Sequence, residues 1–265
     1  MRETARLHFL GLHILLPSLL SATRPATKRR ADRSGGARDW LRRLSTVLMV
    51  TGLLLLADAG LTIVWQEPVS AAIAWFDQGE LEDQLAQLEL ELDDGLSEVE
   101  RQALDGLETD ELRIAYLARR LERQTDAGEA VGRIDLPSIE EDFVVVHGSD
   151  REALRKGPGI YDATRFPGVP GTTAIAGHRT TYGAPFHDID ALEVGDTVTV
   201  TMPYAEFEYS VERTEIVEPT ATEVIDPVSF DRLVLSACHP LYSAAQRIVV
   251  FAKLERVTPT GPALL

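Results

Sequence analysis

The chain has 265 residues, 45% of them hydrophobic, enough to bury a core and to exclude a chain disordered throughout. Its formal net charge of -16 excludes a general nucleic-acid binder, which needs a basic face to displace counterions. The charge is uneven. Thr23 to Arg43 is basic and Asp77 to Asp142 strongly acidic, which assigns the two ends to different compartments or surfaces.

In chain order, the first apolar tract is Leu7–Leu20, too short to span a bilayer, which takes roughly 20 residues. Arg2 and Arg6 precede it, but Leu20-Ser21-Ala22 is a poor cleavage site, so the tract reads as a dispensable extension. Leu44–Trp65 differs. About 22 residues at 1.5 Å rise cover roughly 33 Å, enough for the hydrocarbon core. Asp58 is off-centre, and its cost of roughly 3 kcal/mol is outweighed by about twelve strongly apolar residues. Trp65 sits where an interfacial aromatic belongs, and Arg42 and Arg43 place the amino terminus in the cytoplasm by the positive-inside rule. Residues from Gln66 onward are therefore expected outside.

Gln66 to Gly132 is acidic, with Leu81, Leu85, Leu88 and Leu92, and later Ile114, Leu117 and Leu121, at helical spacing. Gly95 and Gly106 interrupt the pattern, so two or three helices are expected. They form either a stalk or an amphipathic helix pair packed on the domain that follows, and periodicity does not separate these.

From Arg133 the texture changes to short β-branched runs between Gly/Pro turns. Strands are expected at Phe143–Val146, Thr173–Ala176, Thr197–Thr201, Glu208–Val211, Arg232–Ser236 and Ile248–Leu254. Many short strands in about 125 residues make a small all-β barrel or sandwich.

Three strand ends carry the chemistry. Thr173–Ala176 leads into Gly177-His178, Leu233–Ala237 ends at Cys238, the chain's one cysteine, and Arg247 opens the last strand. A lone cysteine is more often a buried hydrophobe, and it forms no intrachain disulfide framework. A thiol with an imidazole and a guanidinium at a barrel rim, however, suits acyl transfer. A free thiol near pKa 8.5 is only a few per cent thiolate at pH 7 and needs a base or cation. The oxyanion of the tetrahedral intermediate needs a fixed donor.

AIAGHR, then LSACHP about 60 residues on, then SAAQR within about ten more, resembles the sortase family. With LRKGPGIY, HRTTYGAPF and the preceding membrane helix, the chain is similar to the class E branch. The resemblance covers roughly Gly132 to Val257. It implies an eight-stranded sortase-type β-barrel, preceded by a single transmembrane helix and an acidic helical stalk. It implies Cys238 as nucleophile on the Thr–Gly carbonyl of an LAXTG- or LPXTG-like sorting signal, His178 as acid/base and Arg247 as oxyanion cation. The partners would be surface-protein precursors bearing that signal and a peptidoglycan precursor amine, with no cofactor. The family has Thr immediately before the cysteine, where this chain has Ala237 preceded by Ser236. A hydroxyl that shapes the signal pocket is missing or has moved one residue, so both positions are candidate substrate-binding residues, together with Tyr182.

His239 is expected to point away from the site, since strand neighbours face opposite sides. His187-Asp188-Ile189-Asp190 lacks zinc-ligand spacing, and no metal site is expected. The expected organisation is a basic cytoplasmic tail (1–43), membrane helix (44–65), acidic helices (66–131), catalytic barrel (132–257) and carboxy-terminal tail (258–265). Two rivals remain. One is a membrane-tethered, non-catalytic β domain that binds wall or protein ligands. The other is an L,D-transpeptidase, whose Ser-His-Gly-Cys segment this chain lacks.

Overall fold

The computed structural model describes residues 34–64 and 68–264. The Leu7–Leu20 tract, most of the basic tail and Trp65 lie outside them. The chain forms two compact units, Met1–Thr51 and Gly52–Leu265. The described part of the first, residues 34–51, belongs to helix α1 (Ser34–Val64). Within it, Arg38–Gly60 is long and apolar enough to cross a membrane. Its large apolar side chains, Leu48, Met49 and Leu56 among them, are exposed. The helix starts ten residues before the expected Leu44, because the Arg-rich flank joins it.

Helices α2 (Pro68–Asp94), α3 (Glu98–Asp105) and α4 (Asp110–Gln124) follow, with breaks at the two expected glycines. Ser97 and Glu100 form a capping box at the start of α3, and hydrogen bonds from Ser97 hold the Glu100 carboxyl down to about 2. Arg120 of α4 donates to Glu100 at 2.9 Å and to Gly95 O at 3.0 Å, tying the three helices together.

Eight strands then close a barrel: β1 (Ala130–Leu136), β2 (Glu141–His147), β3 (Gly159–Ile160), β4 (Thr172–Ala176), β5 (Thr197–Met202), β6 (Ala205–Val217), β7 (Arg232–His239) and β8 (Gln246–Pro259). The order around the barrel is β1-β2-β3-β4-β7-β8-β6-β5, and β5 pairs back onto β1. The short helix α5 (Arg151–Lys156) lies between β2 and β3. All six expected strands are present. β1 went unread because Gly132, Arg133 and Asp135 break its apolar pattern, and β3 because two residues carry no periodicity. Gly132 has a packing reason: a Cβ there would lie 2.5 Å from Thr201 O on β5.

The main core fills the barrel with Ile134, Val145, Ile175, Val200, Leu235 and Val250, all fully buried. Of the two readings of the acidic segment, the packed one is what forms. Leu81 and Leu85 of α2 are buried with Ala130, Val144 and Val146 of the barrel wall. Ile114, Leu117 and Leu121 of α4 join the main core. Because β3 is so short, the backbone of Val144 needs another partner on that side. Gln78 of α2 supplies it, accepting from Val144 N at 2.8 Å and donating to Lys156 O at 2.9 Å. At the other end, Pro262 and Ala263 are buried, so residues after 257 are packed into the domain rather than trailing from it.

Candidate active site

Strand β7 begins as a fully buried run, Arg232 to Ala237, and reaches the barrel rim at Cys238, which is half-buried. Its neighbours on the two sides carry the other two groups. β7 and β8 are antiparallel with Cys238 directly opposite Arg247. β4 and β7 are parallel, in register from Thr172↔Arg232 to Ala176↔Ser236, and Gly177 N extends the ladder by donating to Ser236 O at 3.0 Å. Continuing that register by two residues sets His178 alongside Cys238. Strands pair at roughly 4.8 Å, so the thiol stands between the imidazole and guanidinium segments.

Side-chain alternation sorts the strand's faces. Ala237 and Ile248 point into the main core, and Ala237 is 3% exposed. Ser236, Arg247 and Val249 line a cavity of about 100 Å³ on the outer face, together with Tyr161, Glu218 and Thr222. Ala237 was expected to contact substrate; its side chain belongs to the barrel interior, where a small apolar group fits. Ser236 does face the cavity, and its hydroxyl is 2.8 Å from the Tyr161 hydroxyl. Tyr161, just past β3, was not singled out from sequence, although the LRKGPGIY segment that holds it carries part of the class E resemblance.

Burial lowers the His178 pKa, since a half-buried imidazolium loses hydration. The histidine is held from below and behind. Phe186 N donates to His178 O at 3.0 Å, and the fully buried Phe186 ring lies so close under Gly177 that a Cβ there would come within 2.5 Å of it. The Tyr182 ring is 5.1 Å from the imidazole, tilted at 48°, with the Arg155 guanidinium 5.6 Å from its other contact point at the ring centre. Tyr182 thus buttresses His178 and does not line the cavity beside Ser236. Tyr182, Gly183 and Ala184 all have positive φ (53°, 75° and 46°), a strained run fixed by Tyr182 N donating to Ser70 Oγ of α2 at 3.1 Å.

Arg179 is buried and braces the same loop. It donates to His187 O through two nitrogens, at 3.0 and 3.1 Å, and to Asp190 Oδ1 at 2.7 Å. Its Nη1 lies 3.3 Å from His239 Nδ1, so His239 is engaged in this brace. Arg247 Nη1 donates to Ala244 O at 3.1 Å and Gln246 O at 2.9 Å, which fixes the guanidinium at the rim. Among the described residues, no group of three or more His, Cys, Asp or Glu is placed to hold a metal.

A Sortase domain model matches residues 134–255. Sortase D of Bacillus subtilis is 31% identical over 137 residues, 50% of this chain and 67% of that protein. The chain belongs to the sortase family. Sortases are cysteine transpeptidases. Sortase SrtE1 of Streptomyces coelicolor aligns over more of the chain, 23% identical across 91% of it and 64% of that protein. The solved Sortase D5 transpeptidase of Clostridium perfringens superposes with a TM-score of 0.52 at 23% identity, covering 66% of this chain and 98% of that one, a likeness of fold.

Proposed function

We propose that this sortase is a membrane-anchored, class E-like enzyme that cleaves an LAXTG- or LPXTG-like signal between Thr and Gly and transfers the acyl part to a peptidoglycan amine. The observation that carries the reading is the cross-strand pairing of Cys238 with Arg247, with His178 two residues past the end of β4, the strand on the other side. In the first step the Cys238 thiolate attacks the Thr carbonyl carbon while the carbonyl oxygen takes up charge beside Arg247. The C–N bond then breaks, His178 gives its proton to the leaving glycine amine, and a thioester remains. An incoming amine attacks that thioester, loses a proton to His178, and expels the thiolate. Ser236, Tyr161 and the outer wall at Glu218 and Thr222 form the surface on which the signal lies. The class E assignment draws on the length of the alignment with Sortase SrtE1 and on the apolar helix preceding the acidic segment.

The basic residues at the amino-terminal side of the apolar span support a catalytic domain outside the cytoplasm. Full-length protein in detergent, incubated with an LAXTG peptide, is expected to form a mass adduct on Cys238 that a glycine amine releases as transpeptidated product. Absence of any adduct with Thr–Gly peptides would overturn the reaction. A reporter fused after Leu265 that works only in the cytoplasm would overturn the orientation.

A further inference from the structure

The first turns of α2 have two dissimilar sides. On one, Ala74 is buried with its Cβ toward Gly183, and the Ser70 hydroxyl accepts from Tyr182 N, so this part of the helix holds the loop beside His178. On the other, Trp75 and Phe76 are 72% and 69% exposed, rings packed edge to face at 5.0 Å, with Ile73 exposed beside them. Large exposed aromatics on a helix otherwise rich in carboxylates need a partner to cover them.

We infer that this aromatic face docks on the lipid surface of the membrane that α1 enters, resting on the proposed anchoring. Chain length argues for that occupant. Val64 ends α1 and Pro68 begins α2, four Cα links that reach at most about 14 Å. Trp75 is seven residues into α2, a further ~10 Å at helical rise. Whatever angle α2 takes, the aromatic pair stays within roughly 25 Å of the end of the apolar helix, and less if the link is not fully extended. The headgroup layer is itself several Å deep, and Trp is enriched there because its ring is amphipathic. The carboxylates Asp77, Glu80, Glu82 and Asp83 follow directly, so the contact is apolar rather than electrostatic and favours neutral over anionic headgroups. Docking here would hold the His178 loop at a fixed height above the bilayer.

The test uses the full chain in phosphatidylcholine vesicles with Trp40→Phe and Trp65→Phe, which leaves Trp75 as the only tryptophan. Trp75 emission is expected to shift to the blue and to be quenched by lipids labelled near the headgroup, with loss of acrylamide quenching. Adding anionic lipid is expected to weaken the effect. Resistance of the chain to alkaline carbonate extraction is read in parallel. Extraction would remove the anchoring itself, and the inference with it. A chain that stays in the membrane while Trp75 remains open to acrylamide and blind to lipid quenchers would overturn the docking alone. Trp75 shielded from acrylamide but blind to lipid quenchers would show a protein partner or a second copy on this face, and would also overturn it.

Discussion

Cys238 and Arg247 face each other across β7 and β8 as a direct antiparallel pair, so the thiol and guanidinium positions are set by backbone register and not by a mobile loop. The guanidinium is further pinned by its bonds to Ala244 O and Gln246 O, both through Nη1, which leaves the remainder of the fork to meet a ligand. A preorganised cation of this kind costs no reorganisation when charge develops on the carbonyl oxygen.

Arg247→Ala is accordingly expected to lower turnover by roughly two to three orders of magnitude, the scale for losing one such donor. Arg247→Lys should recover little, because an ammonium cannot reproduce the planar fork. Steady-state transpeptidation with an LAXTG peptide checks both. A fully active lysine variant would mean that Arg247 only packs the end of β8.

Gly177→Ala is expected to impair stability and catalysis together. The added methyl would lie 2.5 Å from the Phe186 ring, which is fully buried. Overpacking of this kind costs about 1–3 kcal/mol, and the strain falls on the residue that precedes His178. Denaturant midpoints and turnover should both drop, with peptide binding less affected than kcat. An unchanged midpoint would show that the Phe186 loop is softer than its packing implies.

The candidate site is legible in sequence where polar groups sit at strand ends, and not where it depends on which way a side chain turns. Cys238, His178 and Arg247 were legible because each follows or opens an apolar run with strand texture. Ser236 and Ala237 are not told apart in sequence, because adjacency in sequence is opposition across a strand: Ser236 meets the cavity and Ala237 meets the core. Tyr161 is not legible because the strand it follows has two residues. The packing of α2 and α4 on the barrel could not be read from periodicity, since an amphipathic stripe looks the same whether it meets another helix or a sheet.

Glu141 offers a test of electrostatics away from the nucleophile. Burial, with the nearby Asp188 carboxylate, pushes its pKa up to about 7 from an ordinary 4.5. A carboxyl raised in the folded state contributes its stability fully below the unfolded value, and loses it as pH rises through the folded one. Glu141→Gln, which stays neutral, should therefore match the parent near about pH 4 and exceed it near about pH 8. After allowance for partial solvent screening the gap should be on the order of 1–2 kcal/mol. A gap that is the same at both pH values would assign the effect to packing.

The assignment of base and nucleophile is the most discriminating test. Cys238→Ala should abolish the peptide adduct, and His178→Ala should still bind peptide while turning over negligibly. His239→Ala should keep most activity. His239 follows the nucleophile in sequence, but its Nδ1 is engaged by the buried Arg179, and strand alternation turns it from the face that Cys238 shares with Ser236. The pH profile adds a second handle. Burial lowers the His178 pKa, so its acid limb is expected below the ordinary histidine value of about 6.5. The same shift has a stability signature. A histidine depressed in the folded state binds fewer protons there than when unfolded, so its contribution is present above about 6.5 and lost as pH falls through the folded value. His178→Gln should flatten that acid-side loss. An inactive His239→Ala enzyme beside an active His178→Ala one would reverse the assignment and take the proposed reaction geometry with it.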